Sequence, residues 1–493
     1  MTRYHKKARE LRGVERPSHD DPASFSPRGI ILDEEQSRLV DANSIPMPRI
    51  GPTTDDFQSG LCEWEKRLRC ITRQTISTPS GLDLFGTIPF PFHLDHRDRN
   101  LLFHYSTVFN YTNMPVNSKE EWIKFAVTDA ALLHTTLVIS ALHVALICGQ
   151  EFSVDAFRHQ RAAVNILNDR LNDPILSSTD STILSISCLA LIDILNASPL
   201  GAAPHTTALE QLVNHRGGLT TLGFNGIVRR KALWADLSSA IAQRIAPRFP
   251  FSSEKLPMGR PSDAIPITVN TSAVNICTEV SDWVAGSPYP PGIEAIIHDL
   301  QRLSLVLSSA NRADMAEIDQ LMLSDSFYDL ERRAYDLLLQ AENRNSVSQI
   351  VPKHSASITP NSFLYPACCL TAIIYVSLAL REIPPRAGIF NPLLGRLTTL
   401  LRDIDIFAAC TTHPKTLLWI LGTGGAAALG REERSLYVKW LDHFCRTQHI
   451  YEWDEMRVAF SSSIHLAPLY MTEFMDVWND VEEFRIMRDL IEM

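Results

Sequence analysis

The chain has 493 residues, with 45% apolar residues, 21% charged residues and a formal net charge of −10. These are values of a globular protein with a large core, and the acidic balance argues against a surface that binds nucleic acid over its whole extent. The nine cysteines form no C-x2-C pair, and no apolar signal segment follows the polar start. We therefore expect an intracellular protein with packed, unpaired cysteines, no metal site and no cofactor.

Residues 1–55 are predicted to be a disordered tail. They combine six prolines with mixed charge and few aromatic residues, a composition that buries too little apolar surface to offset the entropy of ordering. Lys6, Lys7, Arg9 and Arg12 form a small basic cluster within it. Such a cluster is typical of a nuclear-import signal or a weak phosphate contact, and the alternative is a solvated tail without a role.

Four features are predicted between the tail and residue 128. Residues 58–76 have the apolar spacing of a short amphipathic helix, and a proline-rich connector runs from Pro79 to Pro91. Helices follow at 99–111 and 118–128, the second with a capping box that begins at Ser118. We place the start of a large helical domain, residues 56–493, in this region.

The segment from Asp129 to Gln150 is the most apolar run in the chain. Its length is sufficient to span a bilayer, but no cluster of Lys or Arg flanks it, and polar residues are spread through its middle. These polar residues are His134, Thr135, Thr136, Ser140 and His143. We therefore predict a core helix buried nearly all round, capped by Asp129, and no membrane association.

Helical periodicity continues through the remaining chain without a persistent strand pattern. Helices are predicted at 153–172, 179–196, 206–216, 229–246, 269–284, 292–309, 312–342, 363–382, 393–411, 414–429, 431–448 and 466–491. A polar, serine-rich break from Asn343 to Asn361 suggests an internal loop. The predicted fold class is all-α, a large multi-helix domain with orthogonal and antiparallel helix pairs behind a disordered N-terminal tail.

The motifs of common enzymes are missing from the sequence. It contains no G-x-x-x-x-G-K-[ST], H-E-x-x-H or G-x-S-x-G. The glycine-rich piece Gly422–Gly425 continues an apolar helix, so close helix packing explains it better than phosphate binding. His134 and His143 are separated by roughly two and a half helical turns, so they project from opposite sides and cannot share a metal. We predict no catalytic residue and a protein that is not an enzyme.

The end of the chain carries an acidic segment. Trp453, Asp454 and Glu455 precede an acidic C-terminal helix in which Phe474, Trp478 and Phe484 are interleaved with carboxylates. A solvated face explains this pattern most simply. A docking surface for a partner protein is the alternative.

Four ordered segments carry a family resemblance. The first is Leu132-Leu133-His134 with Ser140-Ala141-Leu142-His143, and the second runs from His205 to Arg216-Gly217-Gly218-Leu219. The third comprises Trp234-Ala235-Asp236 and Arg248-Phe249-Pro250, and the fourth runs from Leu417-Leu418-Trp419 through Gly424-Gly425-Ala426 to Glu433-Arg434. Together, over about residues 100 to 450, they resemble the fungal-specific transcription factor domain, a helical domain that accompanies zinc binuclear cluster regulators.

The resemblance implies a nuclear transcription regulator that acts through a helical regulatory domain. It implies structural roles for His134, His143, Arg216, Gly217, Gly218, Trp419, Gly424 and Gly425. We expect the two glycines after Arg216 to adopt positive φ and to return Leu219 to the core, and Gly424 and Gly425 to permit close helix packing.

One feature of the related regulators is missing here. They carry six cysteines that hold two zinc ions, whereas the first cysteine of this sequence is Cys62 and no such cluster follows. We therefore expect that the DNA-binding module is absent, supplied by a partner or missing from the gene model, and that DNA contact is indirect or weak. The expected partners are other regulators or a second copy of the chain, as a hetero- or homodimer. A helical interaction protein that competes with such regulators is the alternative, followed by a helical enzyme or ligand carrier.

Overall fold

A computed structural model describes residues 89–109, 121–150, 153–250, 275–284, 291–309, 317–348, 363–463 and 470–492. Within these ranges the chain forms seventeen α-helices and no strand, which confirms the all-α prediction. The predicted tail with its basic cluster, the helix at 58–76 and the capping box at Ser118 lie outside the described residues.

The first seven helices make up the N-terminal half. They are α1 (His96–His104, followed by a π-helical turn Tyr105–Phe109), α2 (Glu121–Ala126), α3 (Ala130–Ile147), α4 (Val154–Leu171), α5 (Asp180–Leu195), α6 (Pro199–His215) and α7 (Ile227–Gln243). Helix α3 contacts α1, α2, α4 and α5, and α5 in turn contacts α6 and α7.

The remaining ten helices form the C-terminal half. They are α8 (Asn275–Val284), α9 (Ile293–Ser309), α10 (Glu317–Ser348), α11 (Leu364–Tyr375, continued by a π-helical segment Val376–Leu380), α12 (Phe390–Arg402), α13 (Ile406–Thr412), α14 (Pro414–Ala427), α15 (Arg434–Gln448), α16 (Trp453–Ser463) and α17 (Tyr470–Glu492). Helix α11 is buried along its whole length and contacts α9, α10, α12 and α14. Helix α14 contacts α15, α16 and α17 as well.

Helix α3 is the core helix that the apolar run predicts. It begins after Asp129, whose side chain accepts a hydrogen bond from the Leu132 amide at 3.0 Å. Among the described helices it is the one long and apolar enough to cross a membrane, and 72% of it is buried inside the protein. Its polar residues bond within the core: Thr136 accepts from the Trp122 indole at 2.9 Å, and Ser140 donates to the Leu101 carbonyl at 2.6 Å. The internal bonds remove the cost of burying these hydroxyls.

The two halves share one continuous core. The Tyr335 hydroxyl in α10 lies 2.7 Å from the carbonyl oxygen of Ala240 in α7. Arg230 in α7 donates to both carboxylate oxygens of Asp325 in α10, each at 2.8 Å. A single cluster of buried apolar residues includes members from both halves, from Tyr105 to Val481. These contacts between α7 and α10 join the helices around α3 to those around α11.

Helix α6 differs from its predicted extent at the N-terminal end. The sequence suggests that Pro199 and Gly201 separate two helices, but α6 begins at Pro199 and includes Pro204. Proline at the first position of a helix lacks only an amide proton that would have no partner there. Pro204 removes one bond, to the Leu200 carbonyl, which lies in the exposed first turn. The predicted start at residue 206 is therefore wrong by about two turns.

Two predicted boundaries in the C-terminal half are also wrong. Helix α10 continues to Ser348, so the first six residues of the predicted loop at 343–361 are helical, and 349–362 lie outside the described residues. The helix predicted at 393–411 is two helices, because Asp405 caps a new one by accepting from the Ala408 amide at 3.1 Å.

The acidic segment at the C-terminus buries two of the rings that are interleaved with its carboxylates. Trp453 begins a helix, α16, where the sequence suggests only a run of charged residues. Phe474 and Trp478 are 1% and 2% exposed, respectively, because α17 packs them against α14 and α16. These two rings are therefore not available to a partner, whereas Phe484 is half-buried, and docking of a partner on the acidic helix stays a prediction.

Candidate functional site

The segment Arg216–Gly218 ends α6 with a left-handed turn. Gly217 and Gly218 have φ of 91° and 100°, as the sequence predicts, and Leu219 packs against the core. Arg216 fixes the turn from outside, donating to the Ser178 carbonyl at 2.6 Å and pairing with Asp180 at 3.1 Å. These residues determine the path of the backbone. None of them lines the pocket that is described below.

Trp419, Gly424 and Gly425 belong to the packing of α14. Trp419 is fully buried, and a Cβ at Gly424 would overlap the ring of Tyr437 in α15. Arg434 of the same predicted family segment donates to the Gly425 carbonyl at 2.6 Å and to Asp480 of α17 at 2.6 Å. The glycines therefore allow three helices to approach closely, and the arginine bonds a carbonyl at the point of closest approach.

His134 is the end of a short hydrogen-bonded chain of three side chains. Its Nδ1 lies 2.9 Å from Nδ1 of His159 in α4, and His159 Nε2 lies 3.0 Å from a carboxylate oxygen of Asp98 in α1. Because a carboxylate accepts, His159 donates from Nε2 and His134 donates to the His159 Nδ1. Phe92 stacks on His134 with ring centroids 3.9 Å apart. Burial is the main cause that lowers the pKa of His134 to about 4.

His143 forms a second pair on another side of α3. Its Nδ1 lies 2.9 Å from Nε2 of His104 in α1. Burial lowers the pKa of His143 to about 3 and that of His104 to about 4, so both rings are neutral near pH 7. The two histidines of α3 thus have separate partners. Among the described residues no three His, Cys, Asp or Glu side chains are placed to hold a metal ion.

A pocket opens beside His143, where four parts of the chain meet. It contains about 530 Å³ of space free of atoms, counting its open side, and the centre of a water molecule can reach about 40 Å³ of this. Its lining comes from α3 (Ile139, Leu142, His143, Leu146), α5 (Leu191, Ile192, Leu195), α7 (Lys231, Trp234) and the turn after α11 (Ile383, Pro384). The pocket therefore lies between the N-terminal and C-terminal halves.

Lys231 is the cation of this pocket. Its side chain is 7% exposed, and the ammonium lies 5.3 Å from the centroid of Trp122 and 5.0 Å from that of Trp234. Aromatic faces attract a cation, but they do not neutralise its charge. No carboxylate among the described residues pairs with it. Burial lowers the pKa of Lys231, and the nearby Arg381 guanidinium lowers it further.

The Arg381 charge has its own counterion. Arg381 pairs with Glu331 of α10 at 2.7 Å, and its guanidinium lies 4.7 Å from the ring centroid of Trp234. Two cations, Lys231 and Arg381, therefore lie over the ring of Trp234, and Glu331 pairs with the second of them. The local excess of positive charge resides on Lys231.

The arrangement favours binding over covalent catalysis. The thiol of Cys188 is near enough to Lys231 to interact with its charge, and burial raises the pKa of this thiol to about 11, so it is protonated and unreactive at neutral pH. His143 and His104 bond to each other and are neutral. The pocket thus offers an apolar wall and a single cationic group.

The comparison with protein families agrees with the resemblance. The model of the fungal specific transcription factor domain matches residues 102–459. The chain belongs to this family, which is a family of transcription regulators. No curated protein and no solved structure matches the chain.

The sequence alone does not reveal the residues of the pocket. Trp234 belongs to a family segment, whereas Lys231, three residues earlier on the same helix face, belongs to no motif. A lysine within an apolar helical stripe was the available signal. Arg381 and Glu331 gave no signal, because nothing in the sequence indicates that two charges 50 residues apart pair in the core. Lys6, Lys7, Arg9 and Arg12 lie outside the described residues.

Proposed function

We propose that this protein regulates transcription in the nucleus through its helical domain, with sequence-specific DNA binding supplied by another polypeptide. The family match over residues 102–459 carries the proposal. The family motifs support it, since Gly217, Gly218, Gly424 and Arg434 maintain helix packing and form no reaction centre. A helical scaffold of this kind is suited to contact partners, which include other regulators or a second copy of the chain.

The net charge of −10 supports the assignment of DNA binding to a partner. Binding to duplex DNA depends on cations that displace the counterions of the phosphates. The basic cluster Lys6, Lys7, Arg9 and Arg12 adds at most a weak, salt-sensitive attraction of this kind. Its more specific role in this proposal is nuclear import.

Chromatin immunoprecipitation of the tagged chain, with microscopy of the same cells, tests the proposal. We expect nuclear location and enrichment at a defined set of promoters. Purified chain should show no sequence preference for those promoters unless a partner is added. Two results together would contradict the proposal and favour a competitor role. The chain would be enriched at no promoter, and its fusion to a foreign DNA-binding module would not change the expression of a reporter gene.

The role of the basic cluster is tested by a matched pair of variants. Replacement of Lys6, Lys7, Arg9 and Arg12 by alanine should reduce the nuclear fraction several-fold. Replacement of Arg3 and Arg16, which flank the cluster, should leave it close to that of the unmodified chain. Equal nuclear fractions in both variants would rule out import through the cluster.

A further inference from the structure

The pocket beside α3 combines an apolar wall with one buried charge. Nine of its lining residues are carbon-rich side chains from three helices and one turn, and the remaining two are Lys231 and the neutral His143. Ligand pockets of proteins are built in this way, with a mostly apolar wall and few polar groups that fix orientation. The pocket lies where both halves of the chain meet, so an occupant would contact both.

The charge around Lys231 is unbalanced. Glu331 is engaged by Arg381, with bonds of 3.1 and 2.7 Å from the guanidinium. Lys231 itself has two aromatic faces and no hydrogen-bonded acceptor among the described residues. A buried ammonium without an anion is unfavourable, because the low dielectric around it does not replace the lost hydration. An anion in the pocket removes this penalty.

We propose that this pocket binds a small apolar monocarboxylate, whose carboxylate pairs with Lys231 and whose hydrocarbon part lies against Leu142, Leu146 and Leu195. One carboxylate matches Lys231, the one cation that lines the pocket, which has no counterion among the described residues. A dicarboxylate or phosphate places a second negative charge against an apolar wall, which has no donor for it. An amine repels Lys231 and Arg381. This site goes beyond the proposed role in transcription, and its binding is measured independently of any promoter.

The size of the pocket limits the ligand. The part of the pocket that water centres can reach, about 40 Å³, accepts roughly three water molecules on the scale of one per 10–15 Å³. A carboxylate with its first few carbons fills this part, and the rest of a short chain follows the open side. The proposed class is therefore short aliphatic acids or acids with a single ring.

Isothermal titration calorimetry of the full purified chain with hexanoate tests the site. We expect one molecule bound per chain. Hexanamide has nearly the same shape without the charge, and hexylammonium reverses the charge. Hexanamide should bind at least tenfold more weakly, and hexylammonium should give no measurable binding.

Three variants complete the test. Lys231→Met removes the charge and keeps the apolar stem, and it should weaken hexanoate binding at least tenfold. Leu146→Trp keeps the lysine but fills the pocket, and it should weaken binding to a similar extent. Lys439→Met removes an exposed lysine of α15 and should bind as the unmodified chain does. Circular dichroism of each variant verifies the helical fold, and K231M is expected to fold because it removes a buried charge.

Several results would overturn the site. Absence of hexanoate binding at millimolar concentration in the unmodified chain is one. Equal affinity of hexanoate and hexanamide is another, because it would show that binding does not depend on the negative charge of the ligand. Equal affinity of the unmodified chain and folded K231M is the third. None of these results bears on promoter occupancy, so failure of the site and failure of the proposed function remain distinguishable.

Discussion

Glu331 in α10 and Arg381 at the end of the π-helical segment form an ion pair in the centre of the protein. Their side chains are 4% and 1% exposed, and the Oε2–Nη2 distance is 2.7 Å. Glu331 Oε1 also accepts from the Ser377 hydroxyl at 3.3 Å. The pair links α10 to the turn that lines the pocket, and it gives Arg381 a counterion.

Removal of either partner should destabilise the protein strongly. In Arg381→Met the Glu331 carboxylate stays buried without a cation, and a loss of about 3–5 kcal/mol in the free energy of unfolding is expected. Glu331→Gln should cost at least as much, because Arg381 and Lys231 then face each other without an anion. Urea unfolding followed by circular dichroism measures both losses.

The double variant R381M/E331L provides the control for that prediction. Apolar replacement of a whole buried ion pair is often nearly neutral, so the double variant should be more stable than either single variant. With Glu331→Leu as the matching single variant, the effect of the double variant minus the two single effects gives the coupling energy of the pair. Single variants that each lose under about 1 kcal/mol would show that water reaches the pair, contrary to its burial in the structure.

Lys231→Met should not lower the stability of the unliganded chain. Burial lowers the pKa of Lys231, which means that the protonated form is less favourable in the folded chain than in the unfolded chain. Methionine keeps most of the packing against Trp122 and Trp234 and removes that cost. Loss of the cation–π contacts, about 1–2 kcal/mol, opposes the gain. The expected midpoint in urea is equal to or above that of the unmodified chain, with Lys439→Met as the exposed-lysine control.

The N-terminal half shows how far sequence can lead in an all-helical protein. The apolar run of α3 with its cap at Asp129 is unambiguous, because no exposed helix tolerates so many apolar side chains on all faces. Gly217 and Gly218 were predicted with positive φ, since an R-G-G-L pattern after a helix has few other conformations. These features depend on neighbouring residues and are therefore visible locally.

The pocket was not predictable from the sequence, because it depends on residues that are distant from one another along the chain. The pocket brings together Leu142, Lys231 and Pro384, which are far apart in sequence and meet only through the packing of α3, α7 and the turn after α11. The same holds for His143 and His104, and for Phe474, whose ring is buried against Phe460 and does not contribute to the docking surface considered as an alternative. A single sequence gives the face of a helix but not the element that covers it.

The buried histidines should make stability fall in mild acid. The pKa of His104 and His134 is lowered to about 4 and that of His143 to about 3, from an ordinary value near 6.5. Below pH 6.5 the unfolded chain binds protons that the folded chain excludes, so stability is fully present above that pH and is lost as the pH falls towards 4. Each histidine should contribute a loss of about 2 kcal/mol between pH 7 and pH 5.

Urea midpoints at several pH values between 7 and 5 measure this dependence. The double variant His104→Gln/His143→Gln removes two of the titrating groups, and its midpoint should depend less on pH. His298→Gln replaces an exposed histidine and should keep the slope of the unmodified chain. A double variant with an undiminished slope would assign the acid sensitivity to other groups.

Gly424 allows α14 and α15 to approach closely, and replacement of this glycine by alanine tests the closeness of the contact. Gly424→Ala places its Cβ against the ring of Tyr437, which is itself fully buried and bonded to Thr398 at 3.3 Å. Overpacking of this kind costs about 1–3 kcal/mol, more than the gain of about 1 kcal/mol from the higher helix propensity of alanine. Gly395→Ala in α12 is the matched control, because no atom lies within 4 Å of its added Cβ and the residue is exposed. Thermal unfolding should place G424A below the unmodified chain and G395A above it, and the reverse order would mean that Tyr437 moves aside without cost.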